Sequence, residues 1–195
     1  FTNVSSKSKQ VNDLIKKMKR QIRVNGGQHS ATMHYISNYG YIPLWIVVKV
    51  LSFGIVSEMF TILKPEDQVD IAKIFNVSSE DLLVYLPILA NYRNLCAHED
   101  ILYDHRTQRV IENNKYHEKL NIPKMDGEYI YGKDDLFALI IILKYLLRPD
   151  EFKMLINEIS YEIDSLEGKL NVISIDKVLD RIGFPKNYNE IARLD

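Results

Sequence analysis

The chain has 195 residues, 46% hydrophobic and 26% charged, which suits one globular domain with a substantial core. Six prolines and eight glycines exclude a collagen-like or disordered chain, and one cysteine excludes an internal disulfide. The formal net charge of −1 excludes a protein that binds nucleic acid through its overall charge.

The N-terminal segment predicts a basic amphipathic helix over residues 1–27. Apolar residues recur at steps of three and four, and "NGG" at 25–27 ends the helix because these residues tolerate positive φ. Residues 7–23 contain seven basic residues and one acid, Asp13, whereas the rest of the chain has more acids than bases. This face is either simply solvated or an RNA-backbone contact, for which the candidates are Lys16, Lys17, Lys19 and Arg20.

The most apolar stretch, residues 41–63, is long enough to span a membrane. Lys49 and Glu58 interrupt it, and a charge at the bilayer centre is costly. We therefore predict a buried helix pair rather than a membrane span, with Pro43 in a first helical turn and a break at "SFG", 52–54.

Helical patterns also dominate the remaining chain, and the predicted fold class is all-α, a helical bundle with additional helices and a long polar loop. A short helix is expected around 28–38, and Pro65 begins another with acids in its first turn. Ser78 caps the next helix, which contains Pro87 and should kink near Leu83. The later predictions are a loop over 103–133, a helix capped by Asp134, a helix from Pro149 to about Leu166, and a short helix ending at Gly183.

The segment "NYRNLCAHED", 91–100, combines an arginine and a histidine five positions apart. Continuing the stripe of Leu82, Leu86 and Leu89 places Arg93 on the line expected to face the core, where a guanidinium needs partners or water. The neighbouring line of Asn91, Asn94 and His98 forms a polar face. Arg93 and His98 lie roughly 140° apart around the axis, so they converge only at a helix end or across two chains.

These residue types also fit a purely structural role. Arg93 would then pair with Glu99 or Asp100, and His98 would occupy the helix C-terminus, where a cation is favoured. Cys96 lies two positions from His98 on another helical face, which predicts buried packing rather than a nucleophile. His98, Asp104 and His105 lack the spacing of a metal motif, so we predict no metal and no cofactor.

"RNLCAH" resembles the Arg-polar-x-x-x-His motif of the HEPN domain, and its context is similar to the Abi-like family of bacterial abortive-infection proteins, of the AbiD/AbiF type. The similar segments are "PLWIVVKVLSFGIVSEMF", "YRNLCAHEDILYDHR", the polar loop before an apolar helix, and "IGFPKNY". They place a family-like core over about residues 40–188 within one HEPN-like domain, 1–195, of what we interpret as a longer cytoplasmic protein. Glu99 and Asp104 replace a second histidine and an asparagine that are common in the family.

The resemblance implies a metal-independent RNA endonuclease that dimerises, acts in phage defence or a toxin–antitoxin-like system, and is restrained by an antitoxin or a small RNA. Its implied catalytic residues here are Arg93, Asn94 and His98, with Arg106 as a further RNA contact. Tyr92, Tyr103 and Tyr116 either stack on bases or pack against protein. The alternative is a non-catalytic HEPN-like module that binds RNA or protein.

Overall fold

The computed structural model describes the backbone of residues 2–194 and the side chains of residues 6–194. The chain divides into two compact units, Phe1–Asp70 and Ile71–Asp195. The predicted all-α class is confirmed, since helices dominate and the described strands form one small antiparallel pair. The prediction of a single domain over 1–195 stays a prediction.

The first unit is built from five helices and a short 3₁₀ turn at Gly26–Gln28. The helices are α1 (Thr2–Asn25), α2 (Ser30–Tyr39), α3 (Leu44–Val47), α4 (Phe53–Ile62) and α5 (Pro65–Ile74), the last of which crosses into the second unit. The glycines after Asn25 end α1 as predicted.

Helix α1 packs its apolar side against α4, with Leu14 buried. Polar contacts hold the same pair together, since the Lys17 ammonium donates to the Glu58 carboxylate at 2.7 Å. The side-chain oxygen of Gln21 accepts from the backbone N–H of Ser52 at 3.0 Å. The polar face of α1 therefore stays outside while its apolar face forms the core of this unit.

The apolar stretch 41–63 forms two helices rather than one span. Helix α3 stops at Val47, and the Ser52 hydroxyl begins α4 by accepting from the backbone N–H of Ile55. Within residues 2–194, no helix has the length and apolarity needed to cross a bilayer. The predicted break at 52–54 is thus confirmed, while helix α3 is shorter than the apolar run 44–51.

The second unit contains the remaining elements. They are α6 (Ser79–Ala97), α7 (Lys115–Lys119), β1 (Lys124–Met125), β2 (Glu128–Tyr129), α8 (Leu136–Leu146), α9 (Pro149–Glu167), α10 (Ile175–Ile182) and a 3₁₀ helix (Tyr188–Arg193). The strands pair in antiparallel register, with Lys124 opposite Tyr129. The predicted helices from Pro149 and up to Gly183 are confirmed.

Helix α8 lies at the centre of the second unit. Phe137, Ile141 and Ile142 are fully buried, as expected for a helix that is apolar on nearly every side. Its N-cap is Asp135, which accepts from the backbone N–H of Ala138 at 2.9 Å, so the prediction of Asp134 is wrong by one residue. Burial raises the pKa of Asp135 to about 6, although hydrogen bonds from Ala138 and Gly132 oppose that change.

The predicted long loop over 103–133 is wrong, because this segment holds α7 and the β1–β2 hairpin and contributes to the core. Ile111, Tyr116, Leu120 and Ile122 are all buried. Their spacing follows neither a helical nor a strand period, so the sequence pattern did not reveal them.

His117 fixes this segment from within the core. Its Nδ1 accepts from the backbone N–H of Asn114 at 3.2 Å, and its Nε2 donates to the carbonyl oxygen of Gly132 at 2.8 Å. The ring stacks on Tyr129 at 4.7 Å between centroids. Only the neutral ring can accept at Nδ1, and burial lowers the pKa of His117.

His117 is expected to make stability depend on pH. Its pKa in the folded state lies below the unfolded value of about 6.5, so the unfolded chain takes up the proton first. Stability from this group is complete above about pH 6.5 and falls at lower pH, by at most about 1.4 kcal/mol per pH unit.

Urea unfolding at pH 7.5, 6.5 and 5.5 should compare the wild type with His117→Gln, because glutamine at this third helical position can keep the capping interaction. The difference between the two in free energy of unfolding should be largest at pH 7.5 and shrink towards pH 5.5. A difference that is constant with pH would contradict the assignment, since other titrating groups, including Asp135, affect both proteins alike.

Candidate functional site

Helix α6 carries the motif and begins as predicted. The Ser78 hydroxyl accepts from the backbone N–H of Asp81 at 2.9 Å and donates to its carboxylate at 2.7 Å. The helix continues through Pro87 to Ala97, where the motif lies in its last turns. The predicted kink near Leu83 stays a prediction.

The buried side of α6 does not include Arg93. Leu82, Tyr85, Ile88 and Tyr92 form the buried line, while Arg93 is exposed. The prediction that Arg93 faces the core is wrong, because the aromatic rings of Tyr85 and Tyr92 define the packed face and Arg93 lies about 100° from Tyr92. The guanidinium therefore needs no buried partner.

The donors of Arg93 are largely available to a ligand. One contact is made, from Nη1 to the side-chain oxygen of Asn94 at 3.3 Å. Among residues with described side chains, Arg93 forms no ion pair, so the suggested pairing with Glu99 or Asp100 is not found. A free guanidinium beside an amide is suited to gripping an anion such as a phosphate.

His98 lies where the helix ends, with its side chain exposed. Its backbone N–H donates to the carbonyl of Asn94 at 3.0 Å, and the N–H of Asp100 reaches back to Leu95 at 3.0 Å. Glu99 between them has φ of 56°, the left-handed conformation that closes a Schellman motif. This turn directs the chain away immediately after the imidazole and keeps His98 at the surface.

Glu99 occupies a position that favours glycine. We expect Glu99→Gly to raise the free energy of unfolding by about 0.5–1 kcal/mol, because relief of left-handed strain exceeds the added entropy of the unfolded chain. Chemical denaturation measures the change. Glu99→Ala is the matched control, since it removes the charge but keeps the strain; an equal gain in both variants would contradict the conformational explanation.

Cys96 is exposed, so the predicted buried packing role is wrong. The buried line of α6 continues from Tyr92 to the half-buried Leu95 and leaves the next position outside.

The structure adds a second histidine that spacing did not associate with the motif. His105 Nε2 lies 2.6 Å from the side-chain oxygen of Asn91, one helical turn before Asn94. The ring meets Tyr92 edge-on, with centroids 5.3 Å apart. Because the Asn91 oxygen accepts from Nε2–H, Nδ1 is the ring nitrogen of His105 that is left to take up or release a proton.

A polar strip therefore runs along the last turns of α6, from the Asn91–His105 pair through Asn94 to His98. Asn91 and His98 are seven residues apart, or roughly 10 Å along the axis. Asn91 was part of the predicted polar face, whereas His105 is fourteen residues away and reaches it only through the fold of the 98–106 segment. Tyr92 lies on the buried face of α6, and its buried hydroxyl has no hydrogen-bond partner among the described residues.

Arg106 joins this segment to α10. Its guanidinium donates to the carbonyl oxygens of His105 at 3.2 Å and Arg181 at 3.0 Å. Asp104, in turn, binds the Arg181 guanidinium at 2.5 Å. The contacts fix the backbone around His105, and an RNA contact by Arg106 stays a prediction.

The basic residues of α1, in the first unit, differ in their surroundings. Lys17 is paired with Glu58 and Lys16 approaches Asp13 at 3.4 Å, while Lys19 and Arg20 are exposed. Among the four predicted RNA contacts, Lys19 and Arg20 are thus the two that have no acidic partner among the residues with described side chains.

The three tyrosines that are candidates for base stacking differ in their exposure. Tyr92 and Tyr116 are buried in the core, and Tyr103 is 57% exposed. Tyr103 alone of these three offers a face to a base. In the part of the chain with described side chains, His, Cys, Asp and Glu form no group of three suited to a metal ion.

Comparison with known proteins identifies one family. The model of the Abi-like protein family matches residues 1–104, which include the first unit and the whole of α6 with its Arg93–His98 motif. The match starts before the predicted family-like core of 40–188 and does not include its later part. No curated protein and no solved structure matches the chain. Because the match covers more than half of its residues, the chain belongs to the Abi-like protein family.

Proposed function

We propose that the chain is a metal-independent RNA endonuclease of the HEPN type, of the AbiD/AbiF kind, that acts in abortive-infection defence. The observation that carries this proposal is the exposed end of α6, where Arg93 has no carboxylate partner among the side chains of residues 6–194 and His98 has an exposed ring. Both lie within the segment matched to the Abi-like family. A buried or acid-paired Arg93 would have argued for a structural role.

The proposed reaction needs one proton acceptor, one proton donor and a cation. His98 takes the proton of the RNA 2′-hydroxyl, whose oxygen attacks the adjacent phosphorus. The bond from phosphorus to the 5′-oxygen breaks, and that oxygen leaves with a proton from the donor. Arg93 binds the non-bridging oxygens as charge develops, and Asn94 orients the guanidinium it already contacts. The products are a 2′,3′-cyclic phosphate and a 5′-hydroxyl.

The proton donor has two candidates. In a homodimer it is His98 of a second chain, which is the arrangement that we expect from the HEPN resemblance. Within one chain it is His105, whose Nε2–H is held by Asn91 on the same strip and whose protonated ring donates from Nδ1. A site made within one chain is active as a monomer, whereas a site made by two His98 rings loses activity on dilution below the dimer dissociation constant.

The second candidate function is a non-catalytic RNA- or protein-binding module. The exposed acids Glu99 and Asp100 follow His98 directly and oppose the approach of a phosphate, which favours this alternative. Binding without cleavage would then be the outcome of every assay below.

The deciding experiment incubates the purified protein with single-stranded and hairpin RNA in excess EDTA. The endonuclease proposal predicts cuts with cyclic phosphate ends, and no cutting of DNA of the same sequence, which lacks the 2′-hydroxyl. RNA bound but left intact supports the binding module. Cleavage that EDTA abolishes contradicts the proposed mechanism.

The exposed basic side chains of α1 are expected to contact the RNA backbone. Replacing both Lys19 and Arg20 with glutamine should reduce the slope of log affinity against log salt by about 0.7 for each lost phosphate contact. Lys17→Gln is the control, and its change in slope should be less than half that of the double variant, because Glu58 already neutralises that ammonium. Fluorescence anisotropy of a labelled RNA, at salt concentrations from about 50 to about 200 mM, measures this slope. Equal effects from paired and unpaired lysines would remove α1 from the interface.

The cellular setting follows from the same proposal. An active ribonuclease is toxic to its own cell, so we expect a restraining antitoxin or small RNA and a cytoplasmic location, where the RNA is found. Sedimentation should show a homodimer if two chains share the site.

A further inference from the structure

The second unit contains an apolar groove that the proposed site does not use. Its volume is about 770 Å³, and α8 and α9 form its two long sides. Leu136, Leu139 and Leu143 lie along α8, at steps of three and four. Neither Arg93 nor His98 is among the residues that line it.

The apolar row that α9 contributes to the groove is longer than the row on α8. Leu155, Ile159, Ile163 and Leu166 follow one another at helical spacing, over roughly 16 Å. The groove is thus an elongated apolar trough about three helical turns long, the length over which an amphipathic helix presents anchors at i, i+3, i+4 and i+7.

The edge of the groove is acidic. Glu158 and Glu162 line it, one turn apart on α9, and both are exposed. The described residues that line the groove include no lysine or arginine. The two glutamates therefore repel a ligand with an anionic headgroup and attract a peptide with basic residues beside its apolar face.

We propose that this groove binds a basic amphipathic helix of a protein partner. The partner's apolar anchors fill the trough between α8 and α9, and its lysines or arginines pair with Glu158 and Glu162. Helix α1 of a second copy is basic too, but its apolar side already packs against α4, and its exposed Ile15 and Val24 lie on opposite faces, so they form no continuous stripe. The inference concerns binding alone and stands whether or not the chain cleaves RNA.

The test uses the full chain and two fluorescent peptides of about 18 residues with identical leucine patterns, flanked either by lysines or by glutamates. The lysine peptide should bind about tenfold more tightly, since its flanks are attracted to the two exposed glutamates and the flanks of the other peptide are repelled by them. Glu158→Lys combined with Glu162→Lys should reverse that preference. Glu167→Lys, on the same helix but outside the groove lining, is the matched control and should leave it largely unchanged.

A second variant tests the apolar part. Leu166→Arg, at a partly exposed end of the trough, should abolish binding of the lysine peptide while circular dichroism shows an intact helical fold. Equal binding of both peptides, or a preference that survives the charge reversal, would overturn the proposal. So would displacement of the peptide by a neutral long-chain alcohol with higher affinity, which would indicate a lipid pocket, or loss of self-association in Leu166→Arg, which would indicate a second copy.

Discussion

His98→Ala should lower the rate of metal-free RNA cleavage by about 10²–10⁴-fold, the contribution typical of a positioned general acid or base. Its imidazole is exposed at the end of α6 and makes no core contact, so the substitution should leave stability nearly unchanged. Single-turnover cleavage in EDTA measures the effect, with circular dichroism as the check on folding. His34→Ala, which removes another exposed histidine, is the control and should cleave like the wild type.

At Arg93, an alanine and a lysine variant can be compared to separate loss of charge from loss of geometry. Arg93→Ala should lower the rate by about 10²–10³-fold, as for loss of one donor to a developing oxyanion. Arg93→Lys keeps the charge but loses the planar fork, so it should recover RNA binding more than cleavage. If alanine and lysine variants both cleave normally, Arg93 is not part of the site.

Mixing two inactive proteins distinguishes a site within one chain from a site shared by two. If two chains share one site, His98→Ala mixed with Arg93→Ala regains a small part of the wild-type activity, because a mixed dimer keeps one His98 and one Arg93 whereas each parent dimer lacks one of these side chains altogether. If His105 of the same chain is the proton donor, mixing restores nothing, and His105→Gln lowers the rate and removes the alkaline limb of the pH–rate profile. These outcomes separate two ways of supplying the proton that the leaving oxygen needs.

Gly183→Ala should be the most destabilising single substitution in the second unit outside its apolar core. Gly183 ends α10 with φ of 83°, and an added Cβ at that position meets the buried carboxyl of Asp135, which caps α8. Left-handed strain and the steric overlap together predict a loss of about 3 kcal/mol or more in the free energy of unfolding. Urea denaturation measures the loss.

Gly127→Ala is the matched control for that prediction. Gly127 also has a left-handed φ, of 88°, but an added Cβ there meets no atom within 4 Å. Gly127→Ala should therefore lower the free energy of unfolding only by the conformational strain, about 1 kcal/mol. Equal losses at the two glycines would show that the approach of Gly183 to Asp135 does not stabilise the fold.

Local chemistry explains which sequence predictions succeeded. Ser78 as a cap, the end of α1 at the glycines after Asn25, and the start of α9 at Pro149 depend on residues within one or two turns. Capping groups, positive φ and a missing N–H act at that range, so the sequence alone contains the necessary information.

The failures concern contacts between distant segments. The pattern of leucines in α6 placed Arg93 inside, but packing of α6 against α8 buries Tyr85 and Tyr92 instead. The 103–133 segment shows no period, yet His117 anchors it in the core through Gly132. Neither result follows from spacing, because a side chain is buried by the elements that pack on it.

The sequence by itself determined the all-α class, most helix ends, and the presence of an arginine, an asparagine and a histidine in the last turns of α6. Only the tertiary structure decided that Arg93 is exposed with no acid partner among the described side chains, that His105 reaches Asn91, and that α8 and α9 leave an acidic-edged groove. The physical reason is range: helix periodicity and capping act over a few residues, whereas exposure and charge pairing depend on chain segments that only folding brings together.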